Sequence, residues 1–206
     1  MSPSRSPSLI PFTLVLVGAC SASEEASAPA SADALPAAVA PAPKDEPVPP
    51  AAAPGELAFA PQDGWITETP TSSMRKAQFR LPGADGAADA SLVVYYFGPG
   101  GGGGVEANLA RWAGQFEQPD GSDSSALLTS TKRDLRGLPV TDVQLGGTYV
   151  AETSPGSGVR VREEGWRLRA SILETSEGAY YVKLVGPAAT VARWEKSYEG
   201  FLDGTR

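Results

Sequence analysis

The sequence predicts an α+β fold, an antiparallel β-sheet covered by helices, preceded by a long Ala/Pro-rich segment. Three observations predict it. Residues 56–206 contain short runs in which apolar and polar residues alternate, the period of a half-buried strand. Two other runs space their apolar residues three and four apart, the period of a helix. Turn-forming residues join the strands at hairpin spacing, which implies antiparallel pairing. All four tryptophans and all six tyrosines of the 206-residue chain lie in this part, enough for a core. Its length, about 150 residues, is that of one ordinary domain.

In chain order, "GWITE" and "SMRKAQFRL" read as short strands, and "PGADG" after them supplies a turn. "ASLVVYYFG" is a third strand. "VEANLARWAGQF" places Leu109, Trp112, Ala113 and Phe116 on one helical face. A polar loop follows. "LLTSTKRDL" and "VTDVQLGGTYVAE" are strands joined by "RGLP"; in the second, Val143, Leu145, Gly147 and Tyr149 alternate with polar neighbours. "GWRLRASILE" and "AYYVKLVG" form a hairpin around Ser176-Glu177-Gly178. "TVARWEKSYEGFL" ends the chain as a helix striped by Val191, Trp194, Tyr198, Phe201 and Leu202. Both aromatic stripes read as core packing.

The N-terminus has a different character. "MSPSRSPSLIPFTLVLVGAC" carries one positive charge, Arg5, then an apolar stretch from Leu9 to Val17. That stretch falls well short of the roughly 20 residues a membrane-spanning helix needs, and it fits the core of a secretory signal. Val17-Gly18-Ala19-Cys20 resembles a bacterial lipobox. The resemblance implies a signal peptide over residues 1–19, lipid attachment at Cys20, and a membrane-anchored lipoprotein of the bacterial cell envelope. Ser21, rather than Asp, follows the cysteine, which implies the periplasm-facing outer membrane in a Gram-negative host. The plainer alternative is a secretory signal with an incidental cysteine. Residues 20–55 are then the lipidated N-terminus and a linker of Ala and Pro. Such a composition has too little apolar surface to offset the entropy of ordering, so it is expected to stay disordered and extended.

Several chemistries are excluded. The chain has no histidine and one cysteine, Cys20. A Ser-His-Asp or Cys-His mechanism is therefore out of reach, as is a typical zinc site. "PDGSDSS" offers Asp120 and Asp123 but not the carboxylate ladder of a calcium loop, so it reads as a polar turn. A formal net charge of −7 and an extracytoplasmic address argue against nucleic acid. In "GPGGGGGV", Gly98, Gly100 and Gly103 satisfy G-x-G-x-x-G, with Glu117 downstream as a ribose-binding acid. That mechanism needs a parallel βαβ unit, whereas the strands here connect as hairpins. No Gly-Lys-Ser/Thr follows, and nucleotides are scarce outside the cytoplasm. The run reads as a flexible strand-to-helix connection, and no nucleotide or other cofactor is expected. Ser73-Met74-Arg75-Lys76 matches S-x-x-K of penicillin-recognising enzymes, but it alternates like a strand and no Lys-Thr-Gly occurs.

"AYYVKLVGPAATVARWEKSYEGFL" resembles the ending of PsbP-like domains: an aromatic strand, a Lys-Leu-x-Gly-Pro corner, then a helix whose aromatic stripe covers the sheet. "PQDGW" and the passage around "YYFG" suit the same family. The resemblance spans most of residues 56–206 and implies an antiparallel sheet sandwiched between helices. The family consists chiefly of binding and assembly modules, with no shared catalytic set to carry over.

The expected function is therefore that of a non-enzymatic binding or assembly module at the envelope, engaging an envelope protein or anionic ligand. The alternative is an envelope hydrolase using paired carboxylates, which needs neither His nor Cys. The candidate partner-binding residues are Arg160 and Arg162, which alternate with Val159 and Val161, and Arg167 and Arg169, which alternate with Trp166 and Leu168. Residues two apart on a strand share a face, so the four guanidinium groups are expected on one side of an acidic domain. The plainer reading is a solvated strand face partly neutralised by Glu163 and Glu164.

Overall fold

The computed structural model describes residues 56–152 and 158–205. The expected signal peptide, Cys20 and the Ala/Pro-rich linker lie outside the described residues.

The described chain is α+β. Its strands are β1 (Ile66–Glu68), β2 (Arg75–Leu81), β3 (Ala90–Tyr96), β4 (Phe116–Glu117), β5 (Thr129–Leu135), β6 (Leu138–Tyr149), β7 (Glu163–Thr175) and β8 (Gly178–Pro187). The helices are α1 (Val105–Ala113), α2 (Ser124–Leu127) and α3 (Ala188–Asp203). The eight strands form one sheet of order β1-β2-β3-β8-β7-β6-β4, with β5 also pairing β6. Each of these ladders is antiparallel. The β3–α1 passage therefore lacks the parallel strands that a dinucleotide loop requires.

Strand alternation divides the core in two. Tyr180, Val182 and Leu184 of β8 join Phe79, Leu81, Leu92, Val94 and Leu173 on one face. The aromatic stripe of α3 closes this face with Val191, Tyr198, Phe201 and Leu202 buried and Trp194 against them. Two indole N–H groups pin the helix: Trp65 Nε1 donates to Ser197 Oγ at 3.2 Å, and Trp194 Nε1 to the Pro82 carbonyl at 2.8 Å. Leu57 and Phe59 pack on the same side. The opposite face carries Val143, Leu145, Leu168, Ala170, Ile172 and Tyr181, covered by Trp112 and Ala113 of α1 and by Phe116.

Three local features depart from the sequence reading. The first helix stops at Ala113, because Gly114 and Gln115 turn the chain; Phe116 lies on β4 and reaches the same core from a strand. Part of the expected polar loop is α2, whose N-cap Asp123 accepts the Ser125 N–H at 2.8 Å. The glycine run is a built turn rather than a slack one. Asn108 Nδ2 donates to the carbonyls of Gly102, Gly103 and Gly104, and the Tyr181 hydroxyl donates to Gly103 at 2.6 Å. Gly102 has φ +81°, and a Cβ there would stand 2.5 Å from the Tyr181 ring. Only glycine fits that position without moving the ring.

Candidate functional site

The four arginines separate into two settings. Arg162 pairs with Glu117 of β4, and both side chains are well exposed. Arg160 forms an isolated antiparallel bridge with Glu152. Arg167 and Arg169 do alternate with Trp166 and Leu168, but the face they share is the one beneath α3. Arg169 is a buried side chain, 5% exposed, and its guanidinium meets Asp142 of β6 and Glu195 and Glu199 of α3. Arg167 meets Glu195 at 3.6 Å and donates to Gln144. The contacts thus place Arg167 and Arg169 in an intramolecular ion network and give Arg162 a different acid. Arg167 and Arg169 share a strand face opposite Leu168, but α3 covers it, and none of these contacts brings Arg160 or Arg162 into the same cluster.

This network is extensive. Arg133 of β5 bonds Asp142 at 2.6 Å and Glu199 at 3.1 Å, so two arginines share the same two acids. Ser171 donates to Asp142, and the Tyr198 hydroxyl donates to Ser171 at 2.8 Å. Burial opposes the charge of Arg169, but Tyr198, Asp142 and Glu199 outweigh it and raise its proton affinity. Arg169 Nε lacks a hydrogen bond, although Glu195 lies 3.5 Å away. The network fastens α3 to β5, β6 and β7.

A second cluster lies on the other face of the sheet. Lys183 of β8 points to the α1 side, in a cross-strand row with Val93, Ala170 and Val143. These three neighbours are buried. Lys183 Nζ donates to Gln115 Oε1 at 2.6 Å and to the Tyr149 hydroxyl at 3.5 Å, and stands 5.3 Å from the Tyr149 ring centroid. No ion pair reaches it among the described residues. Removal from water pushes its pKa down to about 8. Burial, and secondarily Tyr95, push Tyr149 up to about 12. Tyr149 stacks on Trp166 with ring centroids 5.6 Å apart and 7° between planes. Tyr95, Tyr149, Trp166 and Val185 are all half-buried. Sequence reasoning missed this site, yet the signal was present: in "AYYVKLVG" a lysine occupies a position where the alternation demands an apolar residue.

The remaining sequence candidates have structural partners. Asp120 accepts the Ser122 N–H and hydroxyl in a turn, and Asp123 caps α2. No group of three or more acidic, His or Cys residues suited to a metal occurs among the described residues. Ser73 sits in a turn before β2 and Lys76 pairs with Glu56 at 2.5 Å. Two shallow surface depressions, of about 420 and 330 Å³, lie beside α1 and the Asp123 loop and beside the glycine turn; Lys183 lines neither.

No family model and no curated protein matches the chain. Among solved structures it is similar to a protein of unknown function from Pseudomonas aeruginosa. The two share 14% identity at a TM-score of 0.40, over 62% of this chain and 78% of that one.

Proposed function

We propose that the protein is a non-enzymatic binding or assembly module of the bacterial cell envelope, anchored through lipid on Cys20 and extended from the membrane by the Ala/Pro-rich residues 20–55. The lipobox-like Val17–Cys20 stretch supports the anchor. Placement of α3 and α1 on opposite faces of an antiparallel sheet is in keeping with a PsbP-like domain, and that assignment is part of the proposal. The observation that carries the binding role is on the α1 face: an ammonium, Lys183, that meets no carboxylate among the described residues and stands beside the half-buried Tyr149 ring, which stacks on Trp166. The alternative, an envelope hydrolase using paired carboxylates, finds no support in Asp142, Glu195 and Glu199, the acids clustered beneath α3, because arginines hold them.

Expression of the full chain in a bacterial host tests the reading. Acyl chains contribute on the order of 0.8 kcal/mol per buried CH₂, so wild-type protein partitions into the detergent phase and Cys20→Ser into the aqueous phase. Unchanged partitioning overturns the anchor. Co-isolation of a reproducible envelope protein after crosslinking supports the binding role, whereas hydrolysis of envelope polymers by purified protein overturns it.

A further inference from the structure

We propose that Lys183 and the rings of Tyr95, Tyr149 and Trp166 form a docking site for a partner protein's acidic segment in which a carboxylate stands beside an apolar side chain. The inference rests on the binding-module reading and names the chemistry of the partner.

The first argument is one of unmet demand. An ammonium has three donors. Lys183 uses one on a neutral amide at 2.6 Å and one, weakly, on a phenol at 3.5 Å. Lys76, Arg80, Arg133, Arg162, Arg167 and Arg169 each meet a carboxylate. Those cations are neutralised within the chain, whereas Lys183, in its apolar row, meets no carboxylate among the described residues. A buried or half-buried charge without a counter-charge is costly, and a carboxylate arriving from outside relieves that cost.

The second argument is shape. The helix covering this face, α1, has nine residues and stops at Ala113. Tyr95, Tyr149, Trp166 and Val185 pack on the same core, each half-buried. Small ligands are usually enclosed in clefts. Neither depression is lined by Lys183, and half-buried Tyr and Trp rings are instead among the residues that protein–protein hot spots favour. The third argument is selectivity. With a formal net charge of −7, the chain repels acidic partners at long range. An acidic segment must therefore be recognised at short range, through contact with Lys183 and the rings.

Among the described residues, the groups that contact the Lys183 ammonium are Tyr149 from β6 and the neutral Gln115 after α1; Tyr95 of β3, with the Arg75 guanidinium 5.5 Å from its ring, acts on Tyr149. A bound carboxylate favours the charged lysine, so binding draws a proton onto Lys183 and weakens as pH rises past about 8.

The test uses the full chain in detergent, with its lysines labelled at Cε with carbon-13, titrated with acetyl-Phe-Glu-amide, acetyl-Phe-Gln-amide and inorganic phosphate. The expected result is a shift of the Lys183 resonance with the Glu peptide, a midpoint raised by about one pH unit, and no comparable response to the Gln peptide. Lys183→Met, checked by thermal melting, should bind the Glu peptide at least about tenfold more weakly. Equal binding of the Glu and Gln peptides, undiminished binding by Lys183→Met, or a stronger response to phosphate than to the Glu peptide overturns the inference. So does the absence of any shift at millimolar peptide. An envelope partner captured equally by wild type and Lys183→Met also overturns it, while leaving the binding-module reading in place.

Discussion

Lys183 gives the clearest consequence at the scale of single residues. Its folded pKa, about 8, is below its ordinary 10.5, because burial disfavours the charged amine. Between those values the unfolded chain binds more protons than the folded one, so this residue's contribution to stability rises with pH over that window. Below pH 8 the full penalty is present, at most about 3 kcal/mol at 1.36 kcal/mol per pH unit. Lys183→Met should therefore be more stable than wild type at pH 7, and the gap should narrow as pH approaches 10.5. Thermal melts of both proteins across this range check it; subtracting one curve from the other removes the titration of the tyrosines. A variant less stable at pH 7 would mean that Gln115 and Tyr149 compensate the charge fully.

Among the elements, α3 is held in two ways. Toward β2, β3 and β8 its contacts are apolar and aromatic. Toward β5, β6 and β7 an ionic layer joins the apolar one, through Glu195 and Glu199 to Arg133, Arg167 and Arg169. Removing one partner from a buried ion pair leaves the other charge uncompensated and costs about 3–5 kcal/mol. Arg169→Ala should lose less than that, about 1–3 kcal/mol, because Arg133 still meets Asp142 and Glu199 and Arg167 still meets Glu195, and backbone amides around Glu195 and Glu199 should exchange faster than those around Val191. Uniform exchange along the helix would show that the apolar seam alone sets its order. Much of this organisation was legible beforehand. The alternation of β6, β7 and β8 and the stripe of α3 are strong periodic signals, and the apolar residues of those stripes are indeed the core. The two-residue β4 and four-residue α2 are too short to hold a period, so they read as loop. Phe116 fitted a helical face by spacing and packs there by another route. Arg167 and Arg169 share a face as alternation requires, but no periodicity states which element packs across it. Lys183 shows the converse case, a visible break in pattern whose meaning depends on the neighbours in space.

For the whole molecule, composition divides the chain near residue 56. The described residues start at Glu56, which pairs with Lys76, and the Leu57 N–H donates to the Tyr180 hydroxyl at 3.3 Å. Residues 20–55 are rich in Ala and Pro and hold no comparable apolar run. Brief proteolysis of the full chain should leave a resistant product beginning near Glu56, since exposed backbone without hydrogen-bonded partners is cut first. Mass spectrometry of the product locates the cut. A dominant resistant product that keeps residues 26–50 would contradict a disordered linker.

The contacts of Glu56 and Leu57 carry one more implication. Leu57 and Phe59 lie on the α3 face, whereas Lys183 belongs to the opposite face. Any pull exerted through residue 56 therefore arrives at the back of the sheet, at Lys76 and Tyr180, and is borne by β2 and β8.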